Sequence, residues 1–206
     1  MIYVEYFSRL PGVELAEFHR AVAQGQEGWG SSYQEDRLVW HAGRTWRMGP
    51  EPEYVAVWHT PDAGFDRIDA WDRIFRAGGA ERHERVFRRV ARIEAAGCYR
   101  ALREPLGVAG GSQPVRSYYL ELFRATGDLE AVAGLYEERA RRHTRLSLHL
   151  LIHRIGRLGP EPGGLAVWTL PDFASLSEIA EELDGVSAPL ELAAAGTYAD
   201  VGEEIL

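Results

Sequence analysis

The chain has 206 residues, which suits one large domain or two of roughly 100 residues each, and 46% of them are apolar, so it can bury a core. Its net charge of −8 argues against a general nucleic-acid role, which needs a basic face. No apolar run approaches the ~20 residues of a membrane-spanning helix, and Cys98 is the only cysteine, so an intrachain disulfide is excluded. These features predict a cytoplasmic protein that binds neither membranes nor nucleic acid.

The first hundred residues alternate between strand and helix patterns. Residues 1–7 alternate with the period of two that is typical of a strand, and residues 13–24 carry apolar side chains at helical spacing. Two further strands form a predicted hairpin around a turn at 49–52. One helix from 62 and a second at roughly 81–95, separated by a break at 78–79, then precede a closing strand. The predicted order is β-α-β-β-α-β over 1–7, 13–24, 38–46, 54–59, 62–95 (with a break at 78–79) and 96–102.

The same pattern returns in the second half of the chain. Residues 43–62 contain GPEP and AVW motifs that recur in 153–172. The pattern of the first strand, Tyr3 to Phe7, also recurs, in Tyr119 to Phe123. The chain is therefore a tandem repeat, with a first unit at 1–102, a linker at 103–116 and a second unit at 117–206, in which 188–194 is predicted to be helical. Each unit predicts a four-stranded antiparallel sheet with both helices on one face, which is the ferredoxin-like arrangement of the α+β class.

Three features of the sequence carry a resemblance to a known superfamily. They are the Tyr-x-Glu-x-Phe first strand, the strand ending in Val57, Trp58 and His59, and the following helix with Trp71 and Phe75. With them the chain resembles the dimeric α+β barrel superfamily in its fused two-repeat form, with the NIPSNAP and EthD-like branches nearest. The resemblance implies an intramolecular α+β barrel. It leaves the activity open, because members include cofactor-independent monooxygenases, polyketide cyclases, isomerases and haem enzymes.

Positions at which the two copies differ are the candidates for chemistry. Four side chains of the first copy have no aromatic or imidazole counterpart in the second, namely Trp40, His41, Trp46 and His59. An aromatic wall with two imidazoles suits an apolar, aromatic ligand that needs proton transfer. The alternative interpretation is that the aromatic side chains belong to the core and that the histidines lie at exposed strand ends.

A carboxylate in the first strand is present in both copies, as Glu5 and Glu121. Facing an interior, it could act as a base with a raised pKa. Because both copies keep it, a structural ion pair with a repeated arginine is the favoured interpretation; the candidates are Arg44, Arg47, Arg154 and Arg157.

Other histidines suggest metal or haem ligation. His149 and His153 lie on a predicted strand, where four residues span about 13 Å, so they cannot chelate one metal ion by themselves. His83 and His143 lie on arginine-rich predicted helices. Either they belong to solvated faces, or one of them is a proximal haem ligand, as the haem-binding relatives imply.

The leading prediction is an enzyme that uses no organic cofactor: an oxygenase, isomerase or cyclase acting on an apolar, aromatic or polyketide-like compound. His59 and His41 would exchange protons, and Arg44 would stabilise an enolate or phenolate. The predicted binding residues are Trp40, Trp46, Trp58, Tyr3, Glu5 and Tyr99. The alternatives are a haem-binding protein and a non-catalytic ligand-binding or assembly module, and a homo-oligomer is left open.

Overall fold

The computed structural model describes residues 1–32, 36–45, 49, 53–60, 66–77, 86–103, 117–143, 145–183 and 188–201; residues 26–32, 67, 71, 72, 74, 75 and 180–183 are described by their backbone alone. Within these ranges the chain forms strands and α-helices in the order β1 (Ile2–Arg9), α1 (Leu15–Ser32), β2 (Arg37–Arg44), β3 (Tyr54–His59), α2 (Asp66–Arg76), β4 (Ala91–Ala101), β5 (Ser117–Ala125), α3 (Leu129–Arg142), β6 (Ser147–Arg154), β7 (Gly164–Leu170), α4 (Leu176–Leu183) and β8 (Leu190–Asp200). No helix in these ranges is long and apolar enough to cross a membrane.

The chain divides into two compact units, one comprising 1–42, 52–96 and 201–206 and the other 43–51 and 97–200. The strand order is β4-β1-β3-β2 in the first and β8-β5-β7-β6 in the second. This is the same order twice, as expected of two β-α-β-β-α-β repeats. The predicted α+β class with two ferredoxin-like repeats is confirmed. The boundaries 1–102, 103–116 and 117–206 divide the sequence rather than these units and stay a prediction.

In the first unit, alternation along β1 separates a helix-facing row from an opposite row. Phe7 stacks near Phe18 of α1, with ring centroids 6.2 Å apart, so Tyr3, Glu5 and Phe7 face the helix. Trp58 of β3 lies opposite Tyr3 in the register and shares this face. Burying an apolar side chain such as Phe18 contributes about 1.5–3 kcal/mol, which is what holds α1 on the sheet.

The second unit repeats this arrangement with the same register. Trp168 lies opposite Tyr119, as Trp58 lies opposite Tyr3, and Glu121 lies opposite Ala166. Tyr119, Phe123, Tyr136 of α3 and Trp168 belong to one buried cluster. The layer between sheet and helix is therefore built from equivalent positions in both repeats.

The glycine of each GPEP motif lies against a glycine of a closing strand. A Cβ atom added to Gly49 would lie 2.7 Å from the Cα atom of Gly196, and one added to Gly97 would lie 2.6 Å from the Cα atom of Gly159. Both distances are too short for any side chain, so these contacts require glycine. In both contacts the hairpin glycine belongs to one sequence copy and the strand glycine to the other.

Two helix predictions are wrong. The predicted helix at 81–95 ends before Ala91, where β4 begins, and the predicted helix at 188–194 is the start of β8. Leu192 pairs with Phe123 of β5, so backbone pairing overrides the helix propensity of the alanine-rich sequence. Short apolar runs of this kind do not distinguish helix from strand.

Candidate functional site

The second unit contains a buried, fully paired carboxylate. Both oxygens of Glu121 accept hydrogen bonds from the Arg139 guanidinium, at 2.9 and 2.8 Å, and the Tyr136 hydroxyl donates a third at 2.7 Å. The guanidinium also lies 5.1 Å from the ring centroids of Tyr136 and Trp168. Glu121 is 0% exposed and Arg139 is 1% exposed. A two-pronged ion pair with stacked rings is the geometry that suits a guanidinium best.

This cluster has a structural role. Burial, followed by the charge of Glu121, raises the pKa of Tyr136 well above its ordinary value, so its hydroxyl remains a donor. The carboxylate has its charge compensated and its oxygens occupied. The predicted ion pair of this glutamate with an arginine exists, but the arginine lies on α3 and not in the repeated hairpin.

Helix positions in the two repeats can be matched from their buried faces. Phe18 and Val22 are buried in α1 with the same spacing as Val132 and Tyr136 in α3. The backbone agrees, because the amide of Phe18 bonds to the carbonyl four residues earlier, as the amide of Val132 does. The position equivalent to Arg139, three residues after Tyr136, is therefore Gly25.

The first unit consequently holds a different carboxylate. Glu5 accepts a hydrogen bond from the Trp58 indole nitrogen at 3.2 Å, and in place of Tyr136 and Arg139 it has Val22 and Gly25. Desolvation raises the pKa of Glu5 to about 7, and the Trp58 bond opposes this shift. Part of the residue nevertheless remains exposed to solvent. Glu5 and Trp58, both predicted as binding residues, are brought together, and Tyr3 lies on the same face.

His41 lies inside this layer. Its ring stacks on Phe7 with centroids 5.7 Å apart, and burial, followed by the charge of His19, lowers its pKa to about 3. Burial, followed by the charge of Arg9, also lowers the pKa of His19. His41 is therefore a neutral ring near pH 7, and its environment is unsuited to proton donation.

His59 does not meet His41. It lies opposite Ile2 in the register, which places it on the sheet face of Ile2 and Val4, whereas His41 stacks on the helix-facing Phe7. The structure thus does not bring the two predicted acid/base residues together. Trp40 is buried. Trp46 and His83 lie outside the described residues.

Arg44 and Tyr99 belong to the hairpin contacts. The Arg44 guanidinium donates to the Gly49 carbonyl at 3.1 Å, as Arg154 does to Gly159 at 3.1 Å. Tyr99 is 0% exposed, and its hydroxyl oxygen lies 3.4 Å from the Cβ position of Gly159. Because the arginine contact is made in both copies, it holds the hairpin turn, and the predicted role for Arg44 in stabilising an oxyanion remains without support.

His143 follows the last turn of α3 and has the surroundings of an oriented imidazole. Its Nδ1 atom lies 3.7 Å from a carboxylate oxygen of Glu178 on α4, and 9% of the His143 side chain is exposed. Its ring meets the Trp168 ring edge to face, at 5.8 Å and 83°. The backbone amide of His143 bonds to the Arg139 carbonyl at 3.1 Å. Backbone, carboxylate and indole together restrict the orientation of this ring.

Two histidines of β6 differ from His143. The Nδ1 atom of His153 donates to the carbonyl of Arg154 at 3.0 Å, and burial lowers the pKa of His153. His149 lies 5.8 Å from Tyr118, ring centroid to ring centroid. In the described part of the chain, no three His, Cys, Asp or Glu side chains are placed to share a metal ion.

Comparisons with known proteins identify the fold. No family model and no curated protein matches the chain. Among solved structures, a mutant chlorite dismutase from Candidatus Nitrospira defluvii matches at 10% identity with a TM-score of 0.58, covering 99% of this chain and 92% of that one. A dye-decolorizing protein from V. cholerae matches at 9% with a TM-score of 0.54 (99% and 94% covered), and the encapsulated DyP-type peroxidase from Mycobacterium smegmatis at 10% with a TM-score of 0.53 (99% and 93% covered).

These matches share the two-repeat α+β barrel fold that the sequence predicted. They contradict the leading functional prediction, because chlorite dismutases and DyP-type peroxidases are haem proteins. The prediction of an oxygenase, isomerase or cyclase without a cofactor is therefore wrong. The prediction relied on aromatic and imidazole side chains that occur in the first copy only. One of them, His41, is a stacked ring in the core, and a sequence does not distinguish that role from catalysis.

Sequence reasoning missed Arg139, Tyr136 and Glu178. A signal for two of them was present, since Val132, Tyr136 and Arg139 follow at i, i+4 and i+7 along one face of α3. An arginine on the apolar face of a helix, facing a strand with a central glutamate, predicts a buried ion pair.

Proposed function

We propose that this chain is a haem-binding oxidoreductase and that His143 is the axial ligand to the iron. The observation that carries the proposal is the imidazole of His143 held between the Glu178 carboxylate and the Trp168 ring. The fold likeness supports the choice of haem over other ligands of an imidazole.

The residues around His143 fit haem in their donor chemistry. Histidine is a common axial ligand of haem iron, and metal-ligating histidines usually direct their second ring nitrogen at a carboxylate. In His143 that nitrogen is Nδ1, which lies in ion-pair range of Glu178. When bound, haem would supply one-electron and peroxide chemistry.

The protein's contribution follows from these contacts. Glu178 faces Nδ1 of His143 and so favours the ring orientation in which Nε2 would point to the iron. Trp168 limits rotation of the ring, and the buried pair of Glu121 and Arg139 holds the Trp168 ring in place. The cluster thus stabilises the ligand as well as the fold.

Hemin titration of the purified protein tests the proposal. We expect a Soret band that saturates at one haem per chain, and we expect His143→Ala to lose it. His149→Ala is the matched control, since it removes a partly buried imidazole from the same unit, and it should bind hemin as the parent does. A flat visible spectrum in the parent protein would refute haem binding.

Two further variants test separately whether haem binds and whether His143 is its axial ligand. Glu178→Gln should retain haem but shift the iron–imidazole stretching band in resonance Raman spectra, because the imidazole loses its carboxylate neighbour. If His83→Ala loses the Soret band and His143→Ala keeps it, haem binds but the ligand assignment is wrong. Oxidation of an aromatic dye with hydrogen peroxide, lost in His143→Ala, tests the activity.

Two narrower statements rest on the sequence alone. Kinship with the NIPSNAP and EthD-like branches, carried by the Tyr-x-Glu-x-Phe strand and by Trp71, remains part of the proposal. So does a cytoplasmic setting, which the single cysteine supports.

A further inference from the structure

The two repeats surround their equivalent carboxylates, Glu5 and Glu121, with the same strand residues, and we call this arrangement the frame. Glu5 lies opposite Ala56 as Glu121 lies opposite Ala166, and each is two residues from a tyrosine that lies opposite a tryptophan. What occupies this frame differs. In the second repeat Arg139 fills it with a guanidinium that touches the carboxylate and two aromatic rings.

Among the described side chains of the first repeat, no cation bonds to Glu5. Gly25 stands at the position of Arg139 and Val22 at the position of Tyr136. Among the described side chains, the Trp58 indole is the one group that hydrogen-bonds to Glu5. The indole nitrogen of Trp168, by comparison, has no hydrogen-bond partner among the described residues, because Arg139 and Tyr136 already occupy Glu121.

The described atoms do not crowd the position from which the arginine would extend. A Cβ atom added to Gly25 would meet Phe87 Cδ2 at 4.0 Å and no other described atom within that distance. Glu5 as a residue also retains partial exposure, whereas Glu121 has none.

The chemistry of the frame selects the type of cation. A guanidinium or amidinium is planar, bonds to both carboxylate oxygens at once and stacks on aromatic rings, whereas an ammonium is a compact and strongly hydrated point charge. The second repeat shows that this frame accommodates the planar cation.

We propose that the first repeat binds a small molecule bearing a guanidinium or amidinium group, which lies between the Glu5 carboxylate and the Trp58 ring as Arg139 lies between Glu121 and Trp168. This site belongs to the first unit and is separate from His143 of the second, so it does not depend on haem binding.

Isothermal titration calorimetry with agmatine tests the proposal, with butylamine as the ammonium probe and pentanoate as the anion. We expect saturable binding of agmatine, at least tenfold weaker binding of butylamine and none of pentanoate. Glu5→Gln should weaken agmatine binding at least tenfold. Absence of saturable agmatine binding, or equal binding by Glu5→Gln, overturns the proposal.

Gly25→Arg tests the same site from within the chain. The new side chain should occupy the frame, abolish agmatine binding and raise Tm. Gly134→Arg is the matched control, since Gly134 is an exposed α3 glycine with no described atom within 4 Å of an added Cβ atom, and it reports the general gain from replacing a helical glycine. We expect the Tm of Gly25→Arg to exceed that of Gly134→Arg by about 2–4 °C.

The excess in Tm of Gly25→Arg over Gly134→Arg should vanish when Gly25→Arg is combined with Glu5→Gln. If Gly25→Arg does not fold, the agmatine titrations of the parent and of Glu5→Gln decide the question alone. A folded Gly25→Arg protein that still binds agmatine as the parent does contradicts the proposed location.

Discussion

Glu5 and Glu121 occupy equivalent strand positions, and each faces a helix beside a tyrosine and a tryptophan, yet Glu121 is fully buried whereas Glu5 retains partial exposure. Glu121 is bonded by Arg139 and Tyr136, whereas Glu5 is bonded by Trp58. The difference originates on the helix and not on the strand. A duplicated residue therefore does not imply duplicated surroundings, because two differences on the neighbouring helix leave one carboxylate paired with a guanidinium and the other bonded to an indole.

The largest expected effect is that of removing Arg139, the cation that pairs with Glu121. Arg139→Ala leaves the fully buried Glu121 charge without compensation, and we expect the free energy of unfolding to fall by about 3–5 kcal/mol. Urea denaturation followed by circular dichroism measures this loss. Arg142→Ala, which removes an exposed arginine paired with Glu138 one turn along the same helix, should leave stability unchanged. Equal losses in the two variants would show that the buried pair is not stabilising.

Both glycine contacts should resist substitution. Gly97→Ala and Gly49→Ala each force a Cβ atom against a backbone Cα atom less than 3 Å away, so we expect both to reduce stability by about 1–3 kcal/mol. Thermal unfolding measures the effect, and Gly134→Ala serves as the control because nothing described lies near its Cβ position. An unchanged Tm in either variant would show that the backbone at that contact shifts without cost.

The smallest expected effect is on the pH dependence of stability, which distinguishes Glu5 from Glu121. The folded-state pKa of Glu5 is about 7 against an ordinary value of 4.5, so its protonation stabilises the fold below pH 4.5, and this contribution is lost as the pH rises through 7. His41 acts oppositely, since its folded pKa of about 3 makes stability fall as the pH drops below 6.5. Above pH 7, Glu5→Gln should therefore exceed the parent in stability by about 1 kcal/mol, and the difference should shrink towards pH 4.5.

Unfolding of both proteins across this pH range isolates Glu5, because the His41 contribution cancels between them. A difference that does not vary with pH would mean that the Glu5 carboxylate is ionised in the folded protein throughout.

The sequence was sufficient for the architecture because the evidence for it is local and repeated. Alternation in Tyr3 to Phe7 and the returning GPEP motif specify strands and a hairpin, and both follow from backbone periodicity. The alanine-rich start of β8 failed because its strand pairing with β5 outweighs local propensity. The site could be predicted only in part: Glu5, Trp58 and His143 were identified, but Arg139 and Glu178 lie on other elements, and the contacts among all of them exist only after folding.

The two glycine contacts make the sequence copies depend on each other. Gly49 meets Gly196 and Gly97 meets Gly159, so in each contact the hairpin glycine comes from one copy and the strand glycine from the other. Neither contact can form within one copy alone. A chain cut back to a single repeat would therefore lose both contacts unless a second molecule supplied the missing glycines.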